Sequence, residues 1–253
     1  KADCMDSNIR IDQKPAKPLG IKAYGSIGHL PNSRIGPGDH MISPGQAHIC
    51  CEFARDKHDI IYVQEKLDGS CTAVTRISGE LIALNRAGYP AASSPWEMHH
   101  LFADWVKKNA SRFKDLPDGV RVVGEWLAQA HGTRYALHHE PWVVFDIMEE
   151  HKRRLTLDVI SWAEKRDFTT PTILHVGPPI SIEAALQHLG EHGHHGAIDP
   201  AEGCVWRVER KGKVDFLAKW VRPDKQDACY LPEISGEAAI WNWLPATQRA
   251  DSA

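Results

Sequence analysis

Lys66 stands at the end of the run Ile60-Ile61-Tyr62-Val63-Gln64-Glu65 and two residues before Asp68-Gly69. An apolar, β-branched run leading into Asp-Gly reads as a strand entering a tight turn, so the amine sits at a strand end with space in front of it. There it can attack a phosphorus atom, provided that it loses its proton. An unperturbed lysine, with a pKa near ~10.4, is almost wholly protonated at neutral pH. Nucleophilic use therefore needs desolvation, neighbouring cations or a metal to lower that value. Taken alone, Lys-x-Asp-Gly is also ordinary hairpin chemistry, and the rest of the chain must supply the companions.

Those companions follow in order. Ser70 to Arg76 is β-rich, Ser78-Gly79 can turn it, and Glu80 to Asn85 returns and delivers Arg86, whose fork matches phosphate oxygens. Gly119 to Leu127 carries Val122 and Val123 into Gly124-Glu125; this strand-end carboxylate could hold a metal or a ribose, or simply face solvent. Trp142 to Met148 reads as a buried strand with Phe145 at its centre, a position that is ordinarily core. Glu202 to Arg207 and Val214 to Val221 flank the turn-like stretch Glu209 to Lys213. They form an expected hairpin with Glu202 at one end and Lys219 inside its second strand.

Two helices complete the frame. Met98, Leu101, Phe102, Trp105 and Val106 follow helical spacing after a Ser94 cap and Pro95, and Ile182, Ala185, Leu186 and Leu189 follow Ser181. Hairpin-joined strands with a few helices predict an α+β fold, with antiparallel sheets flanked by helices around a cleft. Residues 1–20 read as a mobile arm and 21–253 as one domain with a short C-terminal extension. Within Gln187 to Gly196, His188, His192, His194 and His195 are compatible with zinc, but the interspersed glycines favour a solvated loop.

A net charge of −3 and a pI near 6.6 exclude a global basic footprint, so any nucleic-acid surface must be local. Arg34, Lys107, Lys108, Arg112, Arg153 and Arg154 are candidates that a solvated helix face explains equally well. The six cysteines show no C-x-x-C spacing and no secretory signal precedes them, which fits a reducing, cytoplasmic compartment. No apolar run approaches the ~20 residues of a membrane span.

The ordered set of Lys66-x-Asp-Gly, Arg86, Gly124-Glu125, Phe145-Asp146, Glu202-Gly-x-Val-x-Arg207 and Lys219 resembles the covalent nucleotidyltransferase superfamily of polynucleotide ligases and capping enzymes. Within it, the chain is most similar to ATP-dependent RNA ligases, particularly the branch that seals nicks in duplexes. Ser70-Cys71 stand where DNA ligases usually show an arginine. His29-Leu30-Pro31-Asn32-Ser33 resembles a stretch found ahead of the lysine in several RNA ligases. Residues 223–253 are too few for the OB-fold that DNA ligases and capping enzymes carry. Arg222-Pro223-Asp224-Lys225 spells a signature of those OB-folds and is read here as coincidence. RNA ligases often show Lys-x-Lys where this chain has Lys219-Trp220-Val221-Arg222, so the second cation is either missing or moved to Arg222.

The resemblance implies a nucleotidyltransferase domain with an ATP cleft and no OB-fold, in which AMP becomes bound to Lys66. Lys219 would contact the α-phosphate and depress the pKa of Lys66, and Glu202 would hold Mg²⁺ or Mn²⁺. Glu125 would meet the ribose, Phe145 would stack on adenine, and Glu65 would help fix the base. Asp68 and Gly69 would shape the turn, and Arg86 would bind the terminal phosphate of the strand or that of AMP. The implied substrate is RNA, or an RNA-containing duplex, with a 5′-phosphate, and end-healing kinase or phosphatase proteins are possible partners. The rival readings are a DNA ligase, a GTP-dependent capping-type enzyme and a non-catalytic nucleic-acid-binding relative.

Overall fold

The computed structural model describes residues 15–251; most of the arm expected over residues 1–20 lies outside them. In chain order the elements are β1 (Gly28–His29), α1 (Pro44–Cys51), β2 (Asp59–Lys66), β3 (Ser70–Ile77), β4 (Glu80–Asn85), α2 (Glu97–Lys108), β5 (Val120–Trp126), β6 (Trp142–Glu149), β7 (Lys152–Arg153), α3 (Thr156–Glu164), β8 (Ile173–Gly177), α4 (Ile182–Leu189), β9 (Gly203–Arg210), β10 (Lys213–Val221) and α5 (Pro232–Ser235). They build two five-stranded sheets, ordered β1-β10-β9-β2-β8 and β4-β3-β5-β6-β7. Every pairing is antiparallel except that of β1 with β10. The expected α+β fold of helix-flanked antiparallel sheets is what forms.

Strand alternation decides what each face does. In the first sheet, Ile61 and Val63 of β2 pack with Trp206 and Val208 of β9 beneath Ala185 and Leu189 of α4. In the second, Val122 of β5 and Val144 of β6 meet Phe102 and Trp105 of α2 together with Val159 and Ala163 of α3. Their neighbours Val123 and Phe145 point the other way, into a smaller cluster with Tyr24 and Ala73. Each sheet thus has a helix-covered outer face, and its other face is left to form the cleft. The fully buried Phe102 anchors α2, and its truncation to alanine would cost about 3–5 kcal/mol.

The helix starts differ in their fidelity to the local signal. Ser181 caps α4 by accepting from the Ala184 N–H at 3.1 Å, and Gly190, at φ 71°, ends it. Ser94 does not cap α2, which begins two residues later than expected, after Trp96. Its hydroxyl instead takes the Trp96 N–H and bonds His99 Nδ1 at 2.6 Å, so a longer-range partner outcompetes the cap. Among the described residues no strand follows β10, and the chain turns back onto the second sheet. There the Asn242 N–H reaches the Ala128 carbonyl and Trp243 packs on Trp126. No described helix is long and apolar enough to cross a membrane.

Candidate active site

A cavity of about 430 Å³ opens between the sheets, within the range of small-molecule sites. Its walls come from both halves: Lys66, Glu202, Val205, Arg207, Leu217 and Lys219 from the first sheet and its ends, Cys71, Glu125 and Phe145 from the second. Pairing geometry explains the convergence. Lys66 is the last residue of β2 and lies opposite Gly203 of β9, which brings Glu202 beside it; Lys219 of β10 lies opposite Val205. The His29 stretch joins the same neighbourhood, because β1 pairs His29 with Lys219.

Lys66 Nζ donates to Glu202 Oε2 at 2.7 Å. The turn beyond it is pinned repeatedly: the Asp68 N–H donates to Tyr135 Oη at 3.0 Å, the Gly132 N–H to Asp68 Oδ2 at 2.9 Å, and the Gly69 N–H to Glu125 Oε1 at 2.9 Å. Gly69 is required by close approach, since a Cβ there would lie 2.4 Å from the Trp126 carbonyl oxygen. Phe145 meets Tyr24 edge-on at 5.2 Å and borders the cavity. Arg86 stands exposed at the rim, donating to the Gly25 carbonyl at 3.2 Å.

The electrostatics reverse one expectation. Burial pushes Lys66 down, but Glu202, Glu125 and Asp68 override it and hold the amine above the ordinary lysine range. Lys219 was expected to depress Lys66; the close carboxylates outweigh it, and Lys219 itself is lowered, by burial and then by Lys66. Burial raises Glu125 to about 7 against the opposing pull of Lys66. These carboxylates hold Lys66 as an ammonium ion.

Two further expectations need correction. Arg222 does not border this cavity; it lines a separate groove with Leu186, Gln187 and Trp220, and its acidic neighbour Asp224 is 3.9 Å away. The buried cation of the segment that follows β10 is Lys225, which pairs with Asp68. The histidine loop is not merely solvated. His195 is buried and bonds His139 and Thr172, while the His194 N–H donates to Glu65 Oε2 at 2.8 Å. Alternation sends the Glu65 side chain to the face of Ile61 and Val63, where its carboxylate holds this loop, and Glu65 also borders the cavity.

Residue-by-residue reading also missed Tyr24, and the network formed by Tyr24, Asp146, Arg153 and Arg207. Asp146 Oδ2 accepts from Tyr24 Oη at 2.8 Å, from Arg153 Nε at 3.1 Å and from Arg207 at 3.2 Å. Asp146 and Arg207 stand inside the quoted Phe-Asp and Glu-Gly-x-Val-x-Arg motifs, so a signal was present. Among the described residues no group of three or more His, Cys, Asp or Glu side chains is arranged to hold a metal. Glu202, which is buried, and Glu125, which is half-buried, nevertheless supply hard oxygens at the cavity. That set suits a cation that keeps several waters and shares a substrate's phosphates.

Comparison with known proteins gives the arrangement its context. No curated protein sequence matches. Among solved structures, an archaeal ATP-dependent RNA ligase is similar with a TM-score of 0.50 and 18% identity, over 78% of this chain and 48% of that one. A lysine-to-alanine variant of Naegleria gruberi RNA ligase with ATP and Mn is similar at TM-score 0.52 and 13% identity, over 82% and 62%. The chain thus spans about half the length of the first and three-fifths of the second, and likeness at these identities speaks for the fold alone. The RNA ligase family profile matches residues 59–221, from the start of β2 to the end of β10. That stretch contains Lys66, Glu125, Phe145, Glu202 and Lys219, and the chain belongs to the RNA ligase family.

Proposed function

We propose that this chain is an ATP-dependent RNA ligase that joins 3′-hydroxyl and 5′-phosphate ends through a lysyl-AMP intermediate. The observation that carries the reading is the Lys66 amine at the end of β2, 2.7 Å from Glu202, in a cavity shared with Lys219, Glu125 and Phe145. In the first step Lys66 Nζ, having given up a proton, attacks the α-phosphorus of ATP; a P–N bond forms and the P–O bond to pyrophosphate breaks. In the second, a 5′-phosphate oxygen attacks that phosphorus and frees the lysine. In the third, a 3′-hydroxyl attacks the activated 5′-phosphate, and AMP leaves.

The protein contributes positioning and charge to these displacements. Lys219 faces the α-phosphate, Phe145 and Tyr24 form an aromatic wall for adenine, and Arg86 at the rim meets the strand's phosphate. Glu202, with Glu125 nearby, would hold Mg²⁺ or Mn²⁺, which supplies charge neutralisation on phosphate oxygens. The substrate we assign is RNA, or an RNA-containing duplex, with a 5′-phosphate, in an RNA-repair setting where separate enzymes heal the ends. The five described cysteines are unbridged, in keeping with a reducing cytoplasm.

Incubation with α-labelled ATP tests the reading. Wild-type protein becomes labelled and releases pyrophosphate, whereas Lys66→Ala takes no label yet still joins a pre-adenylylated strand. Labelling of Lys66→Ala equal to wild type would end this assignment. Labelling by GTP in place of ATP would point to capping chemistry, and a panel of nicks varying ribose and deoxyribose on each side separates RNA from DNA joining.

A further inference from the structure

The segment after β10 returns to the cleft at an unexpected point. Lys225 is 5% exposed, and its Nζ donates to the Asp68 carboxylate and to Thr133 Oγ1, the latter at 2.6 Å. Two residues on, Asp227 and Ala228 border the cavity itself. The approach is tight: a Cβ on Gly132 would lie 2.7 Å from the Gln226 carbonyl oxygen and 3.1 Å from Lys225 Cε. Ala228 takes a left-handed φ of 54°, which alanine adopts only when its surroundings impose it, and the Tyr230 N–H ties the segment to the His131 carbonyl at 2.8 Å.

Asp68 needs this partner. Its carboxylate stands in a pocket that already contains Glu202 and Glu125, and burying another unpaired charge there would be costly. Gly132 offers one backbone donor, and Lys225 supplies the cation. Asp68 is also the residue that fixes the turn between Lys66 and Gly69. Lys225 therefore reaches the nucleophile indirectly, through one carboxylate and two peptide units.

We propose that Lys225 is a positioning residue for adenylylation: by neutralising and holding Asp68 it sets the turn that aims Lys66, without touching the nucleotide. The proposal rests on the ligase reading above. A cation with this role changes the rate of the chemical step more than the affinity for ATP, because misaiming a nucleophile by a fraction of an ångström leaves the nucleotide's own contacts in place.

The experiment measures the rate of enzyme labelling against ATP concentration for wild type, Lys225→Met, Lys225→Arg, Asp68→Asn and the double variant Asp68→Asn/Lys225→Met. Methionine keeps the apolar stem and removes the charge. The maximal labelling rate of Lys225→Met is expected to fall about 10- to 100-fold, the half-saturating ATP concentration to change by less than about threefold, and Lys225→Arg to recover part of the rate. In the Asp68→Asn background the Lys225→Met change is expected to cost nothing further, because a neutral amide leaves the cation nothing to hold. This comparison does not use Lys225→Met alone; the double variant buries no lone charge, whereas Asp68→Asn leaves the Lys225 ammonium without its anion, so circular dichroism checks that both are folded before their rates are compared. A wild-type rate in Lys225→Met, a loss confined to ATP affinity, or a full further loss on top of Asp68→Asn would each overturn the proposal. Failure of the wild type to take label from any nucleotide would instead remove the ligase reading, and this proposal with it.

Discussion

At the scale of single residues, the Lys66–Glu202 pair is the central fact, since it holds the amine in its protonated form. Burial opposes the charge, yet the nearby carboxylates win and hold the group above the ordinary lysine range. A raised lysine contributes stability that is fully present below the unfolded value of ~10.4 and is lost as pH rises through the folded one. Replacing Glu202 by glutamine removes the closest of these charges. The Lys66 amine, followed by NMR of labelled lysine without nucleotide or metal, is expected to titrate lower in Glu202→Gln than in wild type. An unchanged titration would show that Glu125 and Asp68 suffice. The same residues show the limit of reading by type: a lysine beside a distant cation and a near carboxylate obeys the nearer charge, and spacing along the chain does not reveal which is nearer.

At the scale of elements, what was legible followed local rules and what was hidden depended on contacts between distant segments. The strands carrying Lys66, Glu125, Phe145, Glu202 and Lys219 announced themselves by apolar runs and turn residues, and α4 by its serine cap. Short α1 begins with a capping box legible in Ser43 and Gln46: Ser43 Oγ accepts from the Gln46 N–H at 3.1 Å and Gln46 Oε1 from the Ser43 N–H at 3.2 Å. The Lys225 contact and the histidine loop could not be read, because each is defined by a partner more than a hundred residues away. That loop yields a prediction of its own. Burial raises Glu65 to about 7, only partly offset by the His194 N–H and the charge on His194. The protonated form therefore favours the fold: this contribution is complete below the unfolded value of ~4.3 and disappears as pH rises toward 7. Glu65→Gln, which keeps an acceptor for His194, is expected to gain about 2 kcal/mol relative to wild type between pH 4 and pH 8, read from urea unfolding at both values. At the same contact, a Cβ on Gly193 would lie 2.0 Å from Glu65 Oε1 at a φ of 62°, so Gly193→Ala is expected to lower the unfolding midpoint at both pH values.

At the scale of the whole molecule, the cleft exists because two sheets with separate outer cores are clamped together behind it, and the clamp is ionic. Asp146 on β6 belongs to one sheet and Arg207 on β9 to the other, and both side chains are buried, with Arg153 and Tyr24 completing the set. A wholly apolar seam could join the sheets as strongly, but it would offer no fixed direction to the Phe145 and Tyr24 rings that the network flanks. Removing the shared carboxylate is therefore the most informative single cut. Asp146→Ala leaves the Arg207 and Arg153 guanidinium groups close together without their common anion, and the expected loss is about 3–5 kcal/mol in urea unfolding. Because the damage lies between the sheets and not within either outer core, native-state hydrogen exchange should show protection falling most along β6 and β9, with α2 and α4 retaining more of theirs. Nucleotide affinity should fall in the same variant, since the aromatic wall loses its support. A variant that unfolds like wild type would show that the two halves are held by their packing alone, and one that loses stability yet binds ATP undiminished would show that the network does not support the aromatic wall.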